Sequence, residues 1–116
     1  MIAYSVTILG TAWKIVLRKK KEDAYLKGIG GYCDNTIKTI VIRKQRKSPH
    51  PNECSDLRAY ERGCLRHEIV HAFMFESGLS HDSYGARHWA LNEEMVDWIA
   101  QQHTKIHAAY IRAGAI

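Results

Sequence analysis

Both prolines of this 116-residue chain, Pro49 and Pro51, fall within Ser48-Pro49-His50-Pro51-Asn52, and the hydrophobic pattern changes across that break. Proline fixes φ and has no N–H to donate, so neither a helix nor an interior strand runs through the segment. Ahead of it the sequence reads as β. Val6-Thr7-Ile8-Leu9 is a short strand, Gly10-Thr11 interrupts it, and Trp13–Leu17 resumes with partial alternation. Lys19–Lys27 is charged and reads as a loop or short helix. Residues 31–43 read as a hairpin, with Asp34-Asn35 in the turn and Thr39-Ile40-Val41-Ile42 as the strongest strand. The Gly28-Ile29-Gly30-Gly31 run has neither the spacing nor the following helix of a phosphate loop.

Beyond the prolines the period becomes helical. Ser55 or Asp56 can cap a helix running to about Ser77, with Gly78 suited to the left-handed position after it. Leu57, Tyr60, Cys64, His67, His71 and Met74 share one face by their three- and four-residue steps, which turns the two histidines inward. Residues 79–91 form a polar loop, and Asn92 can cap a second helix to about Tyr110. The expected fold is therefore a single α+β domain over residues 1–116. A small twisted antiparallel or mixed sheet from residues 3–45 packs on the first helix, and a C-terminal helix completes it. Trp89 and Trp98 are the expected anchors of that second helix.

The sequence His67-Glu68-Ile69-Val70-His71 carries the chemistry. Positions four apart lie about 6 Å along a helix and about 40° round it, so two histidines at this spacing can converge on one metal ion. Glu68, about 100° round from His67, flanks such an ion and can act as general base toward a metal-bound water, then as acid toward the leaving amine. This is the arrangement of a helix-borne zinc site in a metallopeptidase. A catalytic zinc takes three protein ligands and keeps one position open. Asn92-Glu93-Glu94-Met95-Val96-Asp97 supplies the third. Glu93 is preferred over Glu94, because only Glu93 shares a face with Asp97, a carboxylate suited to orient a ligand histidine.

His67–His71 followed by Asn92-Glu93 and Asp97 resembles the gluzincin pattern of thermolysin-like peptidases. In size and strand-first order the chain is similar to small ImmA/IrrE-type metallopeptidases and to short zinc peptidase-like proteins of bacteria and their phages. The phrases Arg66–Phe73, Glu76-Ser77-Gly78 and Asn92–Ala100 carry the likeness, as does the Gly31-Tyr32-Cys33-Asp34 hairpin. The resemblance implies a minimal zincin-like fold. It also implies Zn2+ as cofactor on His67, His71 and Glu93, Glu68 as catalytic residue, Asp97 behind a histidine, and a protein or peptide substrate.

Other features are weaker. Net charge is +5, concentrated in Arg18-Lys19-Lys20-Lys21 and Arg43-Lys44-Gln45-Arg46-Lys47, which read first as solvated strand ends. An alternative function follows from them: a metal-stabilised regulatory module with a vestigial peptidase site, contacting nucleic acid or an acidic protein. Cys33, Cys64 and Cys54 make an odd number without a C-x-x-C pair, which fits reduced thiols; Cys64 reads as core. His103 and His107 lack an adjacent Glu and read as a surface pair. Tyr84, His81, His88 and Arg87 lie between the two helices and read first as ordinary polar loop residues, although one could donate a hydrogen bond to an oxyanion. No run reaches the length of a membrane span, and no signal peptide is evident, so the expected setting is the cytosol.

Overall fold

The computed structural model describes residues 2–46, 56–82 and 89–116. The chain builds an α+β fold. Four strands, β1 (Ile2–Ile8), β2 (Thr11–Arg18), β3 (Gly31–Asp34) and β4 (Thr39–Arg43), precede three helices, α1 (Leu57–Glu76), α2 (Leu79–Asp82) and α3 (Glu93–Ala113). The Ser48–Asn52 break and the Ser55 cap lie outside the described residues. Asp56 caps α1 by accepting the Ala59 N–H at 2.9 Å, and Asn92 caps α3 by accepting that of Met95 at 2.9 Å. The described parts of the 79–91 stretch, expected as a polar loop, are both helical turns. Leu79–Asp82 is a helical turn and Trp89–Leu91 a 3-10 turn.

The sheet is mixed, in the order β1-β2-β4-β3. β1 and β2 form an antiparallel hairpin closed at Ile8↔Thr11. Leu9 (φ 48°) and Gly10 (φ 86°) form its two-residue loop, and both positive angles match the twist of a tight hairpin. β3 and β4 form the expected second hairpin. β2 and β4 then pair in parallel, from Lys14↔Thr39 to Arg18↔Arg43. The charged Lys19–Lys27 segment resolves into two 3-10 turns, Lys20–Glu22 and Ala24–Leu26.

Alternation decides what each face of the sheet meets. Ile8, Trp13, Ile15, Ile40 and Ile42 form the core with Ala72 of α1. Leu65, Ile69 and Phe75 pack against it. These α1 residues lie beside the predicted Tyr60–Met74 stripe, because the helix has two neighbours, with the sheet on one flank and α3 on the other. Val16 and Val41, register partners on the opposite face, are equally buried, as is Leu26 of the second 3-10 turn. Asp23 holds that turn in place. Its carboxylate accepts from the Tyr32 hydroxyl, from Arg18 Nη1 at 2.9 Å and from the Tyr25 N–H at 3.0 Å.

The tryptophan expectation is reversed. Trp13 is fully buried, whereas Trp89 and Trp98 are 43 % and 58 % exposed. Val96 and Ala100 bury α3 instead. Short side chains at these positions let the two helices approach closely. Trp13 donates its indole N–H to Glu76 Oε1 at 2.8 Å, and Thr11 donates to Glu76 Oε2 at 3.2 Å. Lys38 pairs with the same carboxylate at 3.0 Å and lies 5.4 Å over the Trp13 ring.

Two outcomes follow. Trp13→Ala should cost about 3–5 kcal/mol in urea unfolding, while Trp98→Ala should stay within about 0.5 kcal/mol; similar losses from both would refute this core. The second outcome concerns pH. The Tyr32 hydroxyl, opposed by burial and helped by Arg18, holds the Asp23 carboxyl below its ordinary 3.8. A carboxylate depressed in the folded state stabilises it fully above the unfolded pKa, and that contribution is lost as pH falls through the folded value. Melting temperature should therefore drop below about pH 4, and Asp23→Asn should flatten part of the drop. Superimposable pH profiles for the two proteins would remove Asp23 from this role.

Candidate metal centre

α1 and α3 bring together side chains from two separate capped helices. His67 and His71 project from α1 toward the first turn of α3, their rings 4.9 Å apart at 70°. Glu93 opens α3, where a carboxylate is favoured by the helix dipole. Its side chain is 71 % exposed, yet Oε2 lies 2.8 Å from His67 Nε2 and 3.1 Å from His71 Nε2. The three donor atoms all lie within 4.8 Å of one another, a set that could hold a metal ion.

Asp97, one turn along α3, places Oδ1 3.3 Å from His67 Nδ1. Gln101, four residues on, donates to Asp97 Oδ2 at 2.6 Å and fixes that carboxylate. His67 thus faces a carboxylate from each ring nitrogen. A neutral imidazole has one proton to give. With it committed to Asp97, the lone pair on Nε2 meets the lone pairs of Glu93 Oε2, and a cation between them removes the repulsion. Two imidazole nitrogens and one carboxylate oxygen are a donor set suited to zinc. The fit rests on these contacts.

Glu68 lies beside this group and is buried, at 7 % exposure. Burial pushes its carboxyl up to about 7; His67 pulls it down and Glu93 adds to the rise. For Glu93, burial raises the carboxyl but His71 and His67 outweigh it, so the group stays below the usual range. Burial, with Glu68 adding to it, lifts the Cys33 thiol to about 12. Burial also raises that of Cys64. Both thiols are therefore protonated at neutral pH and poor nucleophiles.

The group opens onto a cleft of about 850 Å³. One wall is α1, from Tyr60 to Phe75; the other is the start of α3 with Leu91. Ile29 to Cys33 line it along β3. The glycines explain that wall. A Cβ on Gly30 would meet Cys64 Sγ at 2.5 Å, and one on Gly31 would meet the Val41 carbonyl oxygen at 2.7 Å. The Gly28–Gly31 run is thus a place of close backbone approach.

All five sequence-nominated residues meet here. Glu94, the rival, is not in the donor cluster. His81 lies on α2 and does not line the cleft. Tyr84, Arg87 and His88 fall outside the described residues. Sequence reasoning missed Gln101, Arg66 and the β3 wall. The four-residue step from Asp97 could have found Gln101. Gln101 and Arg66 both line the cleft. No family model, curated protein or solved structure matches the chain.

Gly31→Ala should destabilise the fold by about 1–3 kcal/mol, because a backbone carbonyl cannot move aside as a side chain end can. Unchanged denaturant unfolding would show that β3 and β4 are less tightly apposed.

Proposed function

We propose that this chain is a zinc-dependent peptidase. The observation that carries the reading is the convergence of His67, His71 and Glu93 beside a buried Glu68, at the floor of a cleft walled by an edge strand. When bound, zinc supplies Lewis-acid chemistry that acidifies water and polarises a carbonyl. The chain's own residues supply the rest. His67, His71 and Glu93 would hold the ion. Asp97 Oδ1, accepting from His67 Nδ1, sets that ring's orientation and leaves Nε2 free to ligate. A Glu68 carboxylate oxygen takes a proton from the attacking water and returns it to the leaving nitrogen.

The cleft favours an extended peptide as substrate. Among the described residues β3 pairs only with β4, so its other edge offers N–H and C=O groups along the cleft. An extended chain can add there as a further strand. No helix is long and apolar enough to cross a membrane among the described residues. A cytosolic setting is part of the proposal, supported by Cys33 and Cys64 as free thiols.

Elemental analysis of the purified protein should find stoichiometric zinc. His71→Ala should lose it, and Asp97→Asn should weaken zinc affinity about 10–100-fold. Glu68→Gln should keep zinc but lose about 10²-fold or more of peptide turnover against a peptide library. Wild-type cleavage by Glu68→Gln would overturn the mechanism, and full zinc retention by His71→Ala would overturn the site.

A further inference from the structure

The parallel pairing of β2 with β4 has an electrostatic consequence. Arg18 and Arg43 are register partners at the ends of the two strands, and the Lys44 N–H bonds the Arg18 carbonyl at 2.8 Å. Two basic runs distant in sequence thus meet at one end of the sheet. Residues 18–27 and 43–46 carry eight Lys and Arg against two Asp and Glu, and one of those acids, Asp23, is already paired with Arg18. The local excess of six exceeds the chain's net +5, so the remainder of the molecule is close to neutral or slightly negative. The charge is segregated, not spread over the surface.

That end adjoins the cleft. The Arg43 N–H bonds the Gly30 carbonyl at 2.9 Å, and Gly30 and Gly31 line the cleft wall. The cleft floor instead carries the carboxylates Glu68, Glu93 and Asp97, with Arg66 beside them. Cys33 of β3 lines the cleft together with Glu68, His67 and His71. From Cys33 back to Gly30 a strand covers about 10 Å. A peptide lying along β3 would therefore reach the cations about three residues from the scissile bond.

We propose that the basic end of the sheet docks an acidic segment of the peptide substrate, three or more residues from the bond cleaved. This rests on the peptidase reading of the same cleft. An acidic polypeptide is favoured over nucleic acid for two reasons. The strand end that carries Arg43 is hydrogen-bonded to the Gly30 wall of the cleft, and the two segments hold a single aromatic residue, Tyr25, against eight cations. Complementary charge at this place speeds encounter and selects the substrate, and salt screens it.

The test measures binding to the zinc-loaded Glu68→Gln protein by fluorescence anisotropy. The probes are labelled peptides of about ten residues, each a neutral segment extended at its N- or C-terminal side by a run of Glu or of Gln. In one chain direction the Glu peptide should bind about tenfold tighter than its Gln counterpart at about 0.05 M salt, and within about twofold at about 0.5 M. Lys20, Lys21 and Arg46 are exposed. Lys20→Glu/Lys21→Glu/Arg46→Glu should lose the preference while keeping zinc content, melting temperature and affinity for the Gln peptide. Equal binding of the two peptides, or no binding of either, overturns the proposal. DNA that binds tighter than the Glu peptide through the same three residues assigns the surface to nucleic acid and also overturns it. Failure of the peptidase reading shows separately: the wild-type protein leaves every peptide uncut, whatever the charge preference in binding.

Discussion

The hydrogen bond from the buried Trp13 indole to Glu76 sets the position of everything in the cleft. Trp13 is fully buried in the core between the sheet and α1, where an unpaired N–H would be costly. Its acceptor is the last residue of α1, which also takes Thr11 and Lys38. Glu76 must therefore face the sheet, and with Ala72 fully buried the rotation of α1 about its axis is fixed. Nine residues before Glu76, His67 lies about 180° round the helix; five before, His71 lies about 140° round. Both rings are carried off the sheet and toward α3. A polar contact at one end of the helix thereby orients the donors two turns away.

The second helix meets them for equally local reasons. Asn92 starts α3, which puts Glu93 at its first position, and Val96 and Ala100 press the following turns onto α1. Glu93, Asp97 and Gln101 recur at four-residue steps along one flank. Each restrains another group: Gln101 holds Asp97, Asp97 meets His67, and Glu93 meets both histidines. Capping, a small-residue seam and a four-residue repeat are enough to build the cluster across two helices.

These same devices explain what could be read from the sequence. The helix caps, the Gly78 stop and the 31–43 hairpin are written in local chemistry, where one or two residue types decide the outcome; the first break reads as Gly10-Thr11, one residue past the Leu9-Gly10 loop. Glu93 over Glu94 followed from helix geometry alone. What escaped depended on partners distant in the chain. Trp98 has the size of an anchor, but α3 packs through Val96 and Ala100, so bulk at that position faces outward. Trp13 looked like one more strand residue until Glu76 gave its N–H an acceptor. The parallel β2–β4 ladder could not be inferred, because it depends on where the second hairpin docks. The role of Gly30 and Gly31 likewise appears only when Cys64 and the Val41 carbonyl are set against them.

The parallel ladder also resolves a tension in the charges. Glu68, Glu93 and Asp97 share the cleft floor with Arg66, so the floor by itself offers an acidic peptide no strong attraction. Pairing β2 with β4 gathers the cations of both runs at one sheet end and leaves the carboxylates beside α1 and α3. The two fields are separated by roughly three strand residues, about a Debye length at physiological salt. Under the proposed function, each would act on a different part of one bound chain: the cations on a remote anchor, the carboxylates on a metal ion and a proton. The strand order β1-β2-β4-β3 thus keeps the basic end of the sheet apart from the His67–His71–Glu93 cluster.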